Sequence, residues 1–358
     1  MCPRVLNAHR PAFAGPTFPS QNPSVVDVDG SEYLTCWSCK AADMSVLSET
    51  PEPFRLMAGH LRGVAEAYQL LLQLESAPGS MAQQESLGQK YAGFGASRPE
   101  LEAGLLPLML LGHTCDHAHA LAAALEAPGA IISPLSLVRP SLESAAQAFY
   151  VLEAPAVPER VRRWLNFRLQ AAVEQLRMLD ENELATVPGA VREQRWIADV
   201  VSSARARGYQ PNPVRKQKAS LVPERWLDDR PKSQTLIKQL LDEPGSEIGR
   251  LMHQVTSAVM HGQFHGLMLM LATAEAKPSQ KDVSLVPAGM TLAKTALWTA
   301  PVLLALLRTR RSAERYYGWQ GAEDLTGKQD AALRFWRSCM ALAPLQSYLP
   351  DLWLPGYR

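Results

Sequence analysis

The chain has 358 residues, 47% of them hydrophobic and 20% charged, a globular composition long enough for one large domain or two ordinary ones. Lys plus Arg number 36 against 35 acidic residues, so a net charge of +1 gives no global pull toward nucleic acid or a membrane surface. Five scattered cysteines argue against a disulfide framework and for a reducing compartment, with the cytoplasm as the expected location.

Residues 1–50 are rich in Pro, Ser and Asn and have no helical period. They are expected to form a disordered or extended leader. They lack the unbroken apolar core of a signal peptide. Met44 stands just before the first helical segment and is an alternative translation start. The best strand candidate is the short VVDVDG run that begins at Val25. Cys36 and Cys39 have the spacing of half a zinc site or a redox pair. No second pair follows, and no thioredoxin-like unit surrounds them, so they read as two thiols in the leader.

From Pro51 onward the signals are helical, and a helical domain is expected over 51–345 with a tail at 346–358. Residues 53–75 place Phe54, Leu61, Val64, Tyr68 and Leu71 at helical spacing. Ser97 with Glu100 makes a capping box ahead of a long segment that runs to Glu126. Ser133 and Pro134 open 134–153, where Pro140 predicts a kink or a fresh start. Pro158 opens an arginine-rich amphipathic helix over 158–180. Shorter helices are expected over 188–208 and 232–243, separated by a polar, basic loop at 208–231 that can divide the domain. Residues 289–309, 310–319 and 328–343 complete the set. The most apolar run, Thr295–Leu307, is too short to span a bilayer and contains Pro301, so no membrane partner is expected. The fold class that follows is all-α, a multi-helix bundle.

The segment 246–272 reads as one core helix with a polar stripe. At about 100° per residue, Arg250, Gln254, Ser257, His261 and His265 share a narrow arc. Gly262 and Gly266 lie roughly opposite, where small residues admit a neighbouring helix. A buried stripe needs internal partners. Arg139 and Glu143, one helical turn apart in an apolar segment, are the expected partners of Ser257 and His261.

Two histidine pairs have metal-binding spacing. His113 and His117 are at i and i+4 with Asp116 beside them, and His261 and His265 repeat the spacing. Facing each other in a bundle, they would make a metal site. The simpler reading is hydrogen bonding within and between helices. No cofactor is expected. The basic clusters Arg160–Arg163 with Arg168, Arg215–Lys218 and Arg308–Arg311 read as solvated faces, with phosphate binding as the sharper alternative.

The order R-x-x-L-E, an arginine-rich helix, S-x-x-x-H-G and an apolar helix ending near Tyr317-Gly318-Trp319 resembles a group of uncharacterised all-helical actinobacterial proteins. The matching residues are Arg139, Leu142, Glu143, Arg162, Asn166, Ser257, His261 and Gly262. That resemblance implies the helical fold and no activity. A weaker similarity is to HEPN-like helical bundles, some of which are metal-independent ribonucleases using an Arg and a His a few residues apart on one helix. Here Arg250 and His261 are about 16 Å apart along a helix axis, and Arg250 and His253 are closer in sequence than that motif allows. The leading expectation is a non-catalytic interaction or regulatory protein, acting with a protein partner or as a homo-oligomer. The alternatives are a HEPN-like RNA-directed ribonuclease or defence factor, using His261 with an arginine from elsewhere, and a metal- or small-ligand-binding bundle.

Overall fold

The computed structural model describes residues 51–88, 98–127, 133–179, 186–206, 231–242, 247–263, 292–320 and 323–341. The chain divides into two units, Met1–Val46 and Leu47–Arg358, and every described residue lies in the second. The Cys36–Cys39 pair, the VVDVDG run, the 208–230 segment and His265 lie outside the described residues. Ten helices and no strand occur among the described residues, so the fold is all-α. They are α1 (Glu52–Leu71), α2 (Met81–Ser86), α3 (Pro99–Glu126), α4 (Ser133–Leu152), α5 (Val157–Arg177), α6 (Pro188–Ala206), α7 (Ser233–Leu241), α8 (Ile248–Met260), α9 (Leu292–Tyr317) and α10 (Glu323–Ala341). Among these residues, no helix is long and apolar enough to cross a membrane.

Helix α4 sits at the centre, against α3, α9, α7 and α8. Helix α1 lies on α3 and α10, and α5 leans on α3 with α6 outside it. The main core draws on both sides of the 208–231 segment, with Leu61, Leu111, Leu142, Leu236, Met252, Leu303 and Trp336 in one cluster. A smaller cluster forms where Val161, Trp164, Leu165 and Leu169 of α5 meet Ala190, Ile197 and Val200 of α6.

Helix α9 is buried almost all round, which its sequence of Ala, Leu and Thr permits. Its hydroxyls are satisfied locally. Thr299 and Thr309 donate to the carbonyl oxygens of Thr295 and Ala305, each at 2.7 Å. Each also accepts from a neighbouring helix: Trp336 Nε1 reaches Thr299 at 2.9 Å, and the Tyr68 hydroxyl reaches Thr309 at 3.2 Å. These bonds fix α1 and α10 against α9. A fresh helix start at Pro140 and a break near Arg310 do not occur. Both α4 and α9 run on as single helices, the second with Pro301 inside it as well. Packing on several sides outweighs the hydrogen bond that each proline removes.

One buried group is poorly served. Gln329 on α10 is 1% exposed, and neither its Oε1 nor its Nε2 has a hydrogen-bond partner. An unsatisfied buried amide costs about 1–3 kcal/mol. Gln329→Met is therefore expected to raise the midpoint of chemical unfolding, by about 1–2 kcal/mol. A loss of stability would mean that a buried water holds the amide instead.

Candidate functional site

The described part of the polar stripe, over 247–263, does not face the core. Helix α8 ends at Met260, and Gly262 closes it with a φ of +61°. Gly262 N–H bonds to Val259 O at 3.0 Å and Gln263 N–H to Ala258 O at 2.8 Å, the paired bonds of a left-handed C-terminal cap. Gly262 thus ends a helix rather than admitting a neighbour. Arg250, Gln254 and His261 are exposed, and Ser257 is half-buried. Arg250 pairs with Glu247 on the solvent side.

Arg139 and Glu143 pair within α4, Nε to Oε1 at 3.0 Å. Among the described residues no hydrogen bond joins either to Ser257 or His261, so the expected pairing fails. The α8 residue that feels this pair is His253. Its imidazole is held below the usual range first by burial, then by Arg139, with Glu143 acting against both. Helices α4 and α8 do meet, but it is the face of α8 that carries His253 that lies near the pair.

His113 and His117 do lie together, ring centroids 4.4 Å apart and edge-on. His113 Nδ1 is 2.9 Å from Ser144 Oγ on α4, and Asp116 is exposed. Among the described residues no group of three His, Cys, Asp or Glu side chains gathers that could hold a metal. Burial holds His117 below the ordinary imidazole value of 6.5, and His113 beside it adds to this. Burial does the same to His60 and His253. Three imidazoles whose folded-state values are lowered take up protons more readily when unfolded. Stability is then complete above the unfolded value and declines as pH falls through the folded ones. Burial raises the Glu102 carboxyl, which acts in the opposite sense but at lower pH. The urea midpoint is expected to drop between about pH 7.5 and about pH 5.5. A midpoint that is flat or rises over that interval would contradict it.

The most deeply buried charge cluster lies elsewhere. Arg160, expected on a solvated face, is only 2% exposed. It shares the apolar face of α5 with Val161, Trp164 and Leu165. Its Nη1 pairs with Glu85 of α2. Its Nη2 donates to Ala154 O at 3.0 Å, and its Cζ lies 4.3 Å from the centre of the Tyr316 ring. The Tyr316 hydroxyl donates to the other Glu85 oxygen at 2.9 Å. Burial, with the Glu85 charge beside it, pushes the Tyr316 hydroxyl well above the usual phenol range, so it stays a donor. A buried guanidinium and carboxylate hold each other in place at the cost of their hydration.

The end of α9 and the two residues that follow it set this geometry. Tyr317 O accepts from Ala77 N–H at 2.8 Å, and the Tyr317 hydroxyl donates to Gly104 O at 2.6 Å. Gly318 turns the chain at φ +70°, and a Cβ there would lie 2.9 Å from the Ser80 Cβ. Trp319 stacks on Tyr317 with centroids 4.5 Å apart. Residues 316–319 thereby clamp α2 and the start of α3 in position.

Between α2, the start of α3 and the start of α5 lies a cavity of about 580 Å³. Its polar lining is Gln84, Glu85, Glu100 and Arg160, and Met81, Pro155, Val157 and Pro158 supply apolar walls. Glu100 is 2% exposed. Ser97 of the expected Ser97–Glu100 capping box lies outside the described residues, and Arg98, which immediately precedes α3, makes no side-chain cap bond. Sequence reasoning missed α2 and Glu85. The signal was there in Ser80-Met-Ala-Gln83, whose Ser80 Oγ accepts from Gln83 N–H at 3.2 Å while Gln83 Oε1 accepts from Gly79 N–H at 2.6 Å. Comparison with protein-family models, with curated proteins and with solved structures gives no match.

Proposed function

We propose that this protein works by binding: a small ligand seats in the cavity between α2, α3 and α5, and the bundle acts as a regulatory or interaction protein. The observation that carries this reading is the cavity itself. Its volume suits a small molecule, and the best-buried charged side chains of the described chain converge on its wall. The charges are fixed by one another and by Tyr316 before any ligand arrives, which lowers the entropy cost of binding. Residues 155, 156 and 158 on the rim are exposed, so a ligand has a way in.

The test is a thermal-shift screen of the full chain against a metabolite library, followed by calorimetry on each hit. Ala156→Trp fills the mouth from an exposed position. It is expected to leave the unliganded melting temperature nearly unchanged and to abolish the shift that a true ligand produces. A ligand whose shift survives Ala156→Trp binds elsewhere, and a screen with no hit sinks the reading.

A further inference from the structure

Resting on that reading, we propose that the ligand is an uncharged, mainly apolar molecule. Every charged side chain that lines the cavity is already engaged within the chain. Arg160 pairs through Nη1 with Glu85, donates from Nη2 to Ala154 O at 3.0 Å and lies over the Tyr316 ring. Glu85 Oε1 takes the guanidinium, and its Oε2 accepts from the Tyr316 hydroxyl at 2.9 Å. Glu100 makes an interaction of its own within the fold. Gln84, the uncharged polar side chain of the wall, donates from Nε2 to Gly79 O at 2.8 Å. An ion that entered would give up its hydration and find no open opposite charge. An anion could reach Arg160 only by displacing Glu85, and a cation could reach Glu85 only by displacing Arg160. Either exchange strands a buried charge.

The ion pair is scaffolding for the cavity. It ties α2 to α5, and Tyr316 of α9 joins both, so the walls are set before a ligand arrives. What the walls offer is hydrocarbon: Met81 at the start of α2, and Pro155, Ala156, Val157 and Pro158 at the turn into α5. The two proline rings are rigid, and the Met81 thioether adapts to the shape it meets. Apolar surface buried against them is favourable with no charge to match.

The experiment is calorimetry of the full chain at about pH 7 with two matched series, in which the acids and amines are ionised. One is indole, indole-3-acetate and tryptamine; the other is hexan-1-ol, hexanoate and hexylamine. In at least one series the uncharged member is expected to bind, and its two ionised relatives to bind at least about tenfold more weakly. Met81 is 46% exposed and stands in the first turn of α2, where an acidic residue suits the helix. Met81→Asp is therefore expected to keep the melting temperature while weakening the uncharged binder at least about tenfold, because it puts a charge into the apolar wall. An acid or amine that binds as tightly as its uncharged relative overturns the proposal, as does unchanged affinity in Met81→Asp. Binding of the uncharged member that survives Ala156→Trp also overturns it. An ionised ligand that binds and is lost in Ala156→Trp overturns the uncharged class and leaves the ligand-binding reading standing. No binding by either series, with no hit in the metabolite screen, removes both.

Discussion

Replacing Arg160 with alanine is expected to destabilise the protein by about 3–5 kcal/mol, the usual cost of stranding one partner of a buried ion pair. Three losses combine. The Glu85 carboxylate, 8% exposed, keeps its burial and loses its counter-charge. Ala154 O loses its donor, and the Tyr316 ring loses the cation stacked on it. Urea unfolding of Arg160→Ala, Arg160→Met and Arg160→Met/Glu85→Leu separates these terms. The methionine keeps the packing of the aliphatic stem and should cost less than alanine. The double variant removes both charges and should recover most of the loss, because an apolar pair in such a site is often neutral or better. A single-variant cost under about 1 kcal/mol would show that the pair is solvated in solution. A double variant no more stable than the single would show that the Tyr316 hydroxyl, donating to Glu85, carries more of the energy than the ion pair.

The all-helical fold was legible because apolar spacing is a local signal. Helix α1 buries Met57, Leu61, Val64, Tyr68 and Leu71, the stripe that its sequence displays. The orientation of α8 was not legible for a physical reason. A polar arc on an amphipathic helix reads the same whether it meets water or a partner. Treating 246–272 as one helix made the segment look too apolar for a surface. The decisive residue was Gly262, which stands one past the C-cap residue and suits a left-handed conformation.

The site was harder still. Arg160 and Glu85 are 75 residues apart in the chain, and Tyr316 and Glu85 are 231 apart. No local period links them. Arg160 also sits among other arginines, two of which pair with Glu159 as exposed helical residues commonly do. What singles it out is phase: it falls with Val161 and Trp164 on the buried face, where an arginine has to find a partner.

Gly249→Ala is expected to cost about 2–4 kcal/mol, more than most single-methyl insertions. Helices α7 and α8 touch backbone to backbone at this point. A Cβ on Gly249 would lie 2.5 Å from Lys238 Cα, 2.8 Å from Ile237 O and 2.9 Å from Lys238 N. None of these atoms can swing aside as the end of a side chain would, so α8 must move off α7. That movement also threatens the 2.6 Å bond from Gly249 N–H to Asp242 Oδ1, which caps α8 from outside because Glu247 supplies no cap. It also shifts Met252 and Val255 within the core that both helices share with α4. Alanine's better helix propensity, worth about 1 kcal/mol, offsets only part of this. Gly63→Ala is the matched control: in α1 a Cβ at Gly63 meets nothing within 4 Å, so only the propensity gain remains. Urea midpoints should therefore move in opposite directions, Gly63→Ala upward and Gly249→Ala downward. If both rise, α7 and α8 do not approach this closely, and the tight contact that sets the face α8 turns toward Arg139 and Glu143 is lost with it.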